Sequence, residues 1–307
     1  KEVETLTFPE VDSCCLPNGI PLYIIDRGDQ ELSRVDILFS AGKVQERQPL
    51  TAKFTAAMLR EGASGLSSAY IAEKLDYYGA TLQTLATQRN TYITLYSANR
   101  YFFDILPLLC KLVVSPDFPE EEFRTLKERN RQALSVDLMK VNVLASRIFS
   151  EQLFGAENPY GKSEQLADYD TLTTAHLREF HSRYYTAEQC RIVLSGRITP
   201  EMKAAVKETF AAVPSRSESE RFLFPAIHSS NEHYRFVEKA GALQAGIRVG
   251  RLVVGRDHPD HHILRVLNTV LGGYFGSRLM SNIREEKGYT YGIQSSVVTY
   301  PDVSYLV

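Results

Sequence analysis

Residues 47–66 read RQPLTAKFTAAMLREGASGL. A polar lead-in, a helical run over 51–60 and Gly62 just beyond it outline a metal-binding helix. A zinc helix of the H-x-x-E-H type needs two imidazoles on one face and a carboxylate beside the second. The five positions that would carry them are Lys53, Phe54, Thr55, Ala56 and Ala57. Alanine has no donor atom, and a lysine ammonium holds a proton where a metal needs a lone pair. The stretch keeps the frame of a zinc helix without its chemistry.

The chain has 307 residues, enough for two domains of ordinary size. Its hydrophobic share of 44% and charged share of 23% suit packed cores rather than disorder. A net charge of −2 gives no electrostatic reason to expect nucleic acid. The longest apolar run, 105–114, is interrupted by Pro107 and Lys111, so no membrane span is expected. Cys14, Cys15, Cys110 and Cys190 match no zinc or redox spacing and are expected as free thiols. That favours a reducing compartment such as the cytoplasm. The chain begins at Lys1 with no signal-like segment, and a periplasmic location stays open if a leader was removed upstream.

Outward from the helix frame, alternation predicts strands at 20–26 and 34–40 and a hairpin at 81–87 and 91–97. Helices are predicted at 50–60, 67–78 (ended by Gly79), 101–114, 171–184 and 199–211, with a strand at 191–195. Pro119 and Glu120–Glu122 suit the first turn of a long helix. Its stripe runs from Phe123 and Leu126 through Leu134, Leu138 and Val141 to Ile148. These elements make a first domain over 1–211. Residues 212–230, rich in Ser and Pro, form a candidate linker.

A second domain is predicted over 231–307: strand 243–249, helix 258–271, Gly272-Gly273, helix 276–286, Gly288 and strand 289–298. The order strand, helix, glycine, helix, glycine, strand repeats part of the first domain. Gly62 corresponds to Gly273 and Gly79 to Gly288, offset by 211 and 209 residues. This predicts an internal duplication whose second copy is incomplete at Val307. The expected fold class is α+β: two related domains, each a mostly antiparallel sheet with helices packed on one face.

Several stretches carry a family resemblance together: Leu16-Pro-Asn-Gly-Ile20, the 52–59 helix frame, Phe118-Pro-Glu-Glu-Glu-Phe123, Asn158-Pro-Tyr-Gly161, His181-Ser-Arg-Tyr-Tyr185 leading to Arg191–Gly196, and Leu271-Gly-Gly, Gly276-Ser-Arg-Leu279, Ile283-Arg-Glu-Glu-Lys-Gly288 and Tyr291. In this order the chain resembles one half of the pitrilysin family. These are inverzincin metallopeptidases that include insulin-degrading enzyme and mitochondrial processing peptidase. The resemblance implies metal ligands at Lys53 and Ala57 and a general base at Ala56, none of which can serve. It implies a third ligand, a Glu, on the long helix, where this chain has Gln132, Ala133, Leu134 and Ser135. It also implies that Arg284 and Tyr291 bind substrate backbone near the zinc. A guanidinium offers a fixed fork of donors, and a phenol can donate to a developing oxyanion.

The reading that follows is a non-catalytic subunit without a metal of its own. A homologous, zinc-bearing partner would supply the metal, in a heterodimer or through self-association, and the substrate would be a peptide. The alternatives are a scaffold subunit with no part in proteolysis, like the family's degenerate core subunits in a respiratory complex, and an independent peptidase that uses other residues. His258, His261 and His262 lie at a helix start and are expected as a cap with exposed imidazoles. Lys53 is expected to fill the space of the absent metal and to pair with a carboxylate or face the cleft, because an unpaired buried charge is costly.

Overall fold

The computed structural model describes residues 8–216 and 224–307, so the centre of the expected 212–230 linker lies outside the described residues. The chain packs as two units: Lys1–Ser135 with Glu164–Pro225, and Val136–Ser163 with Ala226–Val307. The stretch 136–163, assigned from sequence to the first domain, thus groups with the C-terminal residues.

The first unit is built on a six-stranded sheet of β1 (Asp12–Cys15), β2 (Pro21–Asp26), β3 (Leu32–Phe39), β6 (Thr81–Ala86), β7 (Thr91–Ala98) and β8 (Cys190–Gly196). Two-residue strands β4 (Gly62–Ala63) and β5 (Leu66–Ser67) make a separate small hairpin. The order in the large sheet is β1-β2-β8-β3-β7-β6, with β2 and β8 parallel and every other neighbour antiparallel. Alternation decides which face is covered. In β3 the residues Ser33, Val35, Ile37 and Phe39 are buried while Arg34, Asp36 and Leu38 are more open. Opposite them Ile93, Leu95, Ile192 and Leu194 are also buried.

That core continues into α1 (Thr51–Met58), α2 (Ser68–Tyr77), α3 (Phe102–Val114), α7 (Thr174–Tyr184) and α8 (Pro200–Phe210). Local chemistry sets several helix ends. The Ser67 hydroxyl accepts from the Tyr70 N–H at 3.3 Å, and the Thr199 hydroxyl accepts from the Met202 N–H with Pro200 in the first turn. Gly79 ends α2 in the left-handed region at φ +58. The acidic first turn of α4 (Glu120–Asp137) follows Phe118, itself left-handed at φ +49. Arg178 of α7 holds that bend by donating to the carbonyls of Asp117 and Phe118 at 3.0 and 3.1 Å. A short helix α6 (Asp168–Thr171) precedes α7. Strand β1 was not expected from sequence. Its burial pattern is largely exposed, so it shows little alternation to detect.

The long helix expected from Phe123 to Ile148 divides at 138–140, giving α4 and α5 (Val141–Phe154). In α4 Phe123, Leu126 and Leu134 of the expected stripe are buried, whereas Leu138, Val141, Leu144 and Ile148 are only half-buried. The second unit contains α5, α9 (His261–Asn268) and a three-stranded antiparallel sheet. That sheet has the order β10 (Val297–Thr299), β11 (Ser304–Leu306), β9 (Arg251–Val253). Phe149 and Phe154 of α5 meet Tyr305, with ring centroids 6.2 and 5.4 Å apart. Asn158 accepts from the Tyr160 N–H and turns the chain so that Tyr160 stacks on Tyr300 at 4.2 Å. The Tyr160 hydroxyl then donates to Asp302 at 2.9 Å.

Three sequence expectations change in this unit. Residues 243–249 form no strand, and 289–296 run outside regular structure before β10. The 276–286 helix becomes a short α-turn continued by a π-helical stretch, Met280–Glu286, and a second π stretch covers Thr269–Gly273. Each stretch has the apolar content its predicted element needs, but Leu243, Ile247 and Val249 remain exposed. Without a neighbouring strand, alternation alone does not make a ladder.

Two glycines separate backbone strain from crowding. Gly196 lies at φ +124, and a Cβ there would run into the Leu32 carbonyl, whereas at Gly79 it would meet nothing within 4 Å. Gly79→Ala should therefore cost about 1–2 kcal/mol from backbone strain alone. Gly196→Ala should cost roughly 2–5 kcal/mol, with crowding added. Urea unfolding of both variants checks the order; equal costs would contradict the register of β3 on β8.

Candidate functional site

Helix α1 carries the degenerate motif. It begins after Leu50, a buried residue in the left-handed region at φ 72, a conformation that costs a non-glycine residue about 1–2 kcal/mol. A carboxylate compensates. Glu46 turns back and accepts the main-chain N–H of Leu50 at 3.1 Å and of Ala52 at 2.8 Å. It thereby satisfies two of the donors a helix start leaves open. Burial pushes the Glu46 carboxyl up to about 7, against the pull of these amides and of Lys43.

The helix buries Thr51, Ala52, Phe54, Thr55, Ala56 and Met58. Phe54 is wedged edge-on between Phe123 and Tyr169, with centroids 5.9 and 6.0 Å away. Ala56, at the position of the base, is 1% exposed. Lys53 lies on the open side, and its Nζ meets Glu164 Oε2 at 3.1 Å. The Tyr169 hydroxyl donates to the same oxygen at 3.5 Å. Burial, and then the charge of Glu164, raises the Tyr169 pKa and keeps the phenol protonated as a donor. Where a metal ligand would stand there is a lysine held by a carboxylate, and the expected pairing of Lys53 is found.

The region of the third ligand gives the same answer. On α4 Leu134 is buried, Gln132 and Ala133 are exposed, and the Ser135 hydroxyl donates to the Gln132 carbonyl. The residues present do not fit a zinc ion. Among the described residues no group of three His, Cys, Asp or Glu is placed to hold a metal, the histidines near α9 included.

In the second unit Arg284 lies in the π stretch, its guanidinium 4.9 Å from the Phe275 ring centroid. Gly288, at φ +64, closes the stretch and its N–H returns to the Arg284 carbonyl at 3.2 Å. Tyr291 follows in irregular chain and is 95% exposed. The two side chains share no hydrogen bond or ring contact among the described residues. Sequence reasoning missed Glu46, Glu164 and Tyr169. A carboxylate just ahead of a helix start was a usable signal for the first. The other two are partners only through the tertiary fold.

The fold is α+β with an antiparallel-rich sheet, and the helix that carries the degenerate motif has no metal ligand on it. Comparison with known proteins agrees. Residues 171–307 match the profile of the peptidase M16 inactive domain. The uncharacterized zinc protease YmxG of Bacillus subtilis is 22% identical over 291 residues, which are 93% of this chain and 69% of that protein. The non-peptidase homolog YmxG of Helicobacter pylori is 23% identical over 258 residues, 82% of this chain and 59% of that one. Among solved structures, the peptidase M16 inactive domain from Pseudomonas fluorescens superimposes with a TM-score of 0.81 at 23% identity, over 97% of this chain and 73% of that one. A protease from Helicobacter pylori gives 0.82 at 17% identity, over 97% and 74%. At these identities the structural likeness is one of fold. The chain is thus similar to pitrilysin-like (peptidase M16) proteins, by the family profile over residues 171–307, and its helix α1 carries no metal ligand.

The Lys53–Glu164 pair is partly solvated, with side chains 44% and 31% exposed. A double-mutant cycle of Lys53→Met and Glu164→Gln should return a coupling of no more than about 1 kcal/mol. A coupling of 3 kcal/mol or more, on the scale of a buried pair, would contradict this placement of Lys53.

Proposed function

We propose that this chain is a non-catalytic subunit of a pitrilysin-like zinc peptidase. A homologous partner supplies the zinc and the base, and this chain supplies Arg284, Tyr291 and part of the chamber wall around a peptide substrate. One observation carries the reading: the helix frame is kept and packed, while Lys53, Ala56 and Ala57 remove every ligating atom from it. Arg284 and Tyr291 support it as donors that remain accessible, the first partly and the second almost wholly. No helix among the described residues is long and apolar enough to cross a membrane. Residues 1–211 and 231–307 are read as two copies of one domain, joined through 212–230. Gly79 and Gly288, at matching positions, both take the left-handed conformation at a helix end, φ +58 and +64.

A scaffold role is the second reading. The Arg284 guanidinium rests over the Phe275 ring, a contact that needs no substrate. The two readings part in the complex. When this chain is mixed with a zinc-bearing partner, peptidase activity should appear that neither has alone. Arg284→Ala or Tyr291→Phe should then lower turnover roughly 100- to 1,000-fold with assembly intact, as expected for losing a transition-state donor. Full activity in both variants, with normal assembly by size-exclusion chromatography, favours the scaffold.

A further inference from the structure

Residues 43–50 run from a 3-10 turn, Lys43–Gln45, to the start of α1, and several side-chain contacts fasten them. Gln45 Oε1 accepts the Gly42 N–H at 2.7 Å. Gln48 Nε2 donates to the Thr171 hydroxyl at 2.8 Å. Glu46 takes both the Leu50 and the Ala52 amides. Arg47 also meets Glu179, but both side chains are largely exposed, so the Glu46 contact is the one with a buried titrating group, and it holds the left-handed Leu50. We propose that residues 43–50 form a strap closed onto α1 by the Glu46 carboxyl, and that ionisation of this carboxyl loosens the strap.

The sign follows from where the proton binds more tightly. In the closed strap the carboxyl is turned inward, and burial raises it from 4.5 to about 7. In an opened strap it meets water and returns to its ordinary value. A proton therefore favours the closed form, and rising pH through neutrality favours the open one. A protonated carboxyl still has acceptor capacity on its oxygens, so the amide contacts survive protonation while the cost of a buried charge disappears.

The surrounding charges do not abolish this balance. Lys43, in the strap, stabilises the charged form, yet burial is the larger effect. Arg47 is drawn to Glu179 of α7 at 3.6 Å, and Lys53 to Glu164. Arg89 comes from the 87–90 turn, whose carbonyls at Thr87 and Gln88 accept from Lys43 and Val44. His176 and Arg183 of α7 line a recess with Arg47, Gln48 and Thr51. Loosening the strap would uncap α1 and widen that recess.

Hydrogen exchange of the intact chain tests this. Between pH 6 and 8 the opening constant read at the Leu50 and Ala52 amides, corrected for intrinsic exchange, should rise about tenfold, from carboxyl values of 7 closed and 4.5 open. Amides of the central sheet, such as Ile37, should not share the rise. Glu46→Gln, which cannot ionise, should abolish it. A change below twofold in the native chain, or one that persists in Glu46→Gln, overturns the proposal. If that variant fails to fold, carbon NMR of the native Glu46 carboxyl decides: a midpoint near 7 supports the strap, and one below 5 overturns it.

Discussion

Six of the eight residues of α1 are buried, and Phe54 is clasped between two rings from other elements, Phe123 of α4 and Tyr169 of α6. This packing fixes the helix, and much else in the first unit follows from it. Facing the core leaves Lys53 on the open side and Ala56 sealed. The sealing has a chemical consequence. A carboxylate at position 56 would be a buried charge needing a metal or a donor beside it, whereas alanine needs neither.

The same economy applies at the start of α1. The left-handed Leu50 and the open amides of the first turn would both destabilise the bend, and Glu46 offsets both at the cost of a partly buried carboxyl. Lys53 meets a second carboxylate, Glu164, steadied by the Tyr169 hydroxyl. The ammonium of Lys53 thus pairs with a carboxylate at the edge of water.

Sequence carried the first unit well because its strands alternate cleanly and its helices end at interpretable residues: Ser67, Gly79, Pro119 and Pro200. The motif loss at Lys53, Ala56 and Ala57 was equally plain, since it depends on atom types and not on geometry. What sequence did not carry was of two kinds. The pairing of Lys53 with Glu164 spans 111 residues and exists only in the fold. In the second unit, stretches such as 243–249 have strand composition without a strand beside them, and the helix across 280–286 widens into a π form that no periodicity at 3.6 residues foretells. Arg284 and Tyr291 were found as a spaced pair. In the fold one lies over Phe275 and the other is exposed to water, so any joint action depends on what they meet.

In the proposed function the zinc and the base for proteolysis come from a partner and not from this chain. Zinc content and peptide cleavage, measured together on the purified chain after dialysis against a chelator and readdition of zinc, test it most directly. The account predicts no stoichiometric zinc at α1 and no cleavage by the chain alone. One equivalent of tightly held zinc, with cleavage that appears on readdition and disappears in the Lys53→Ala variant, would contradict it.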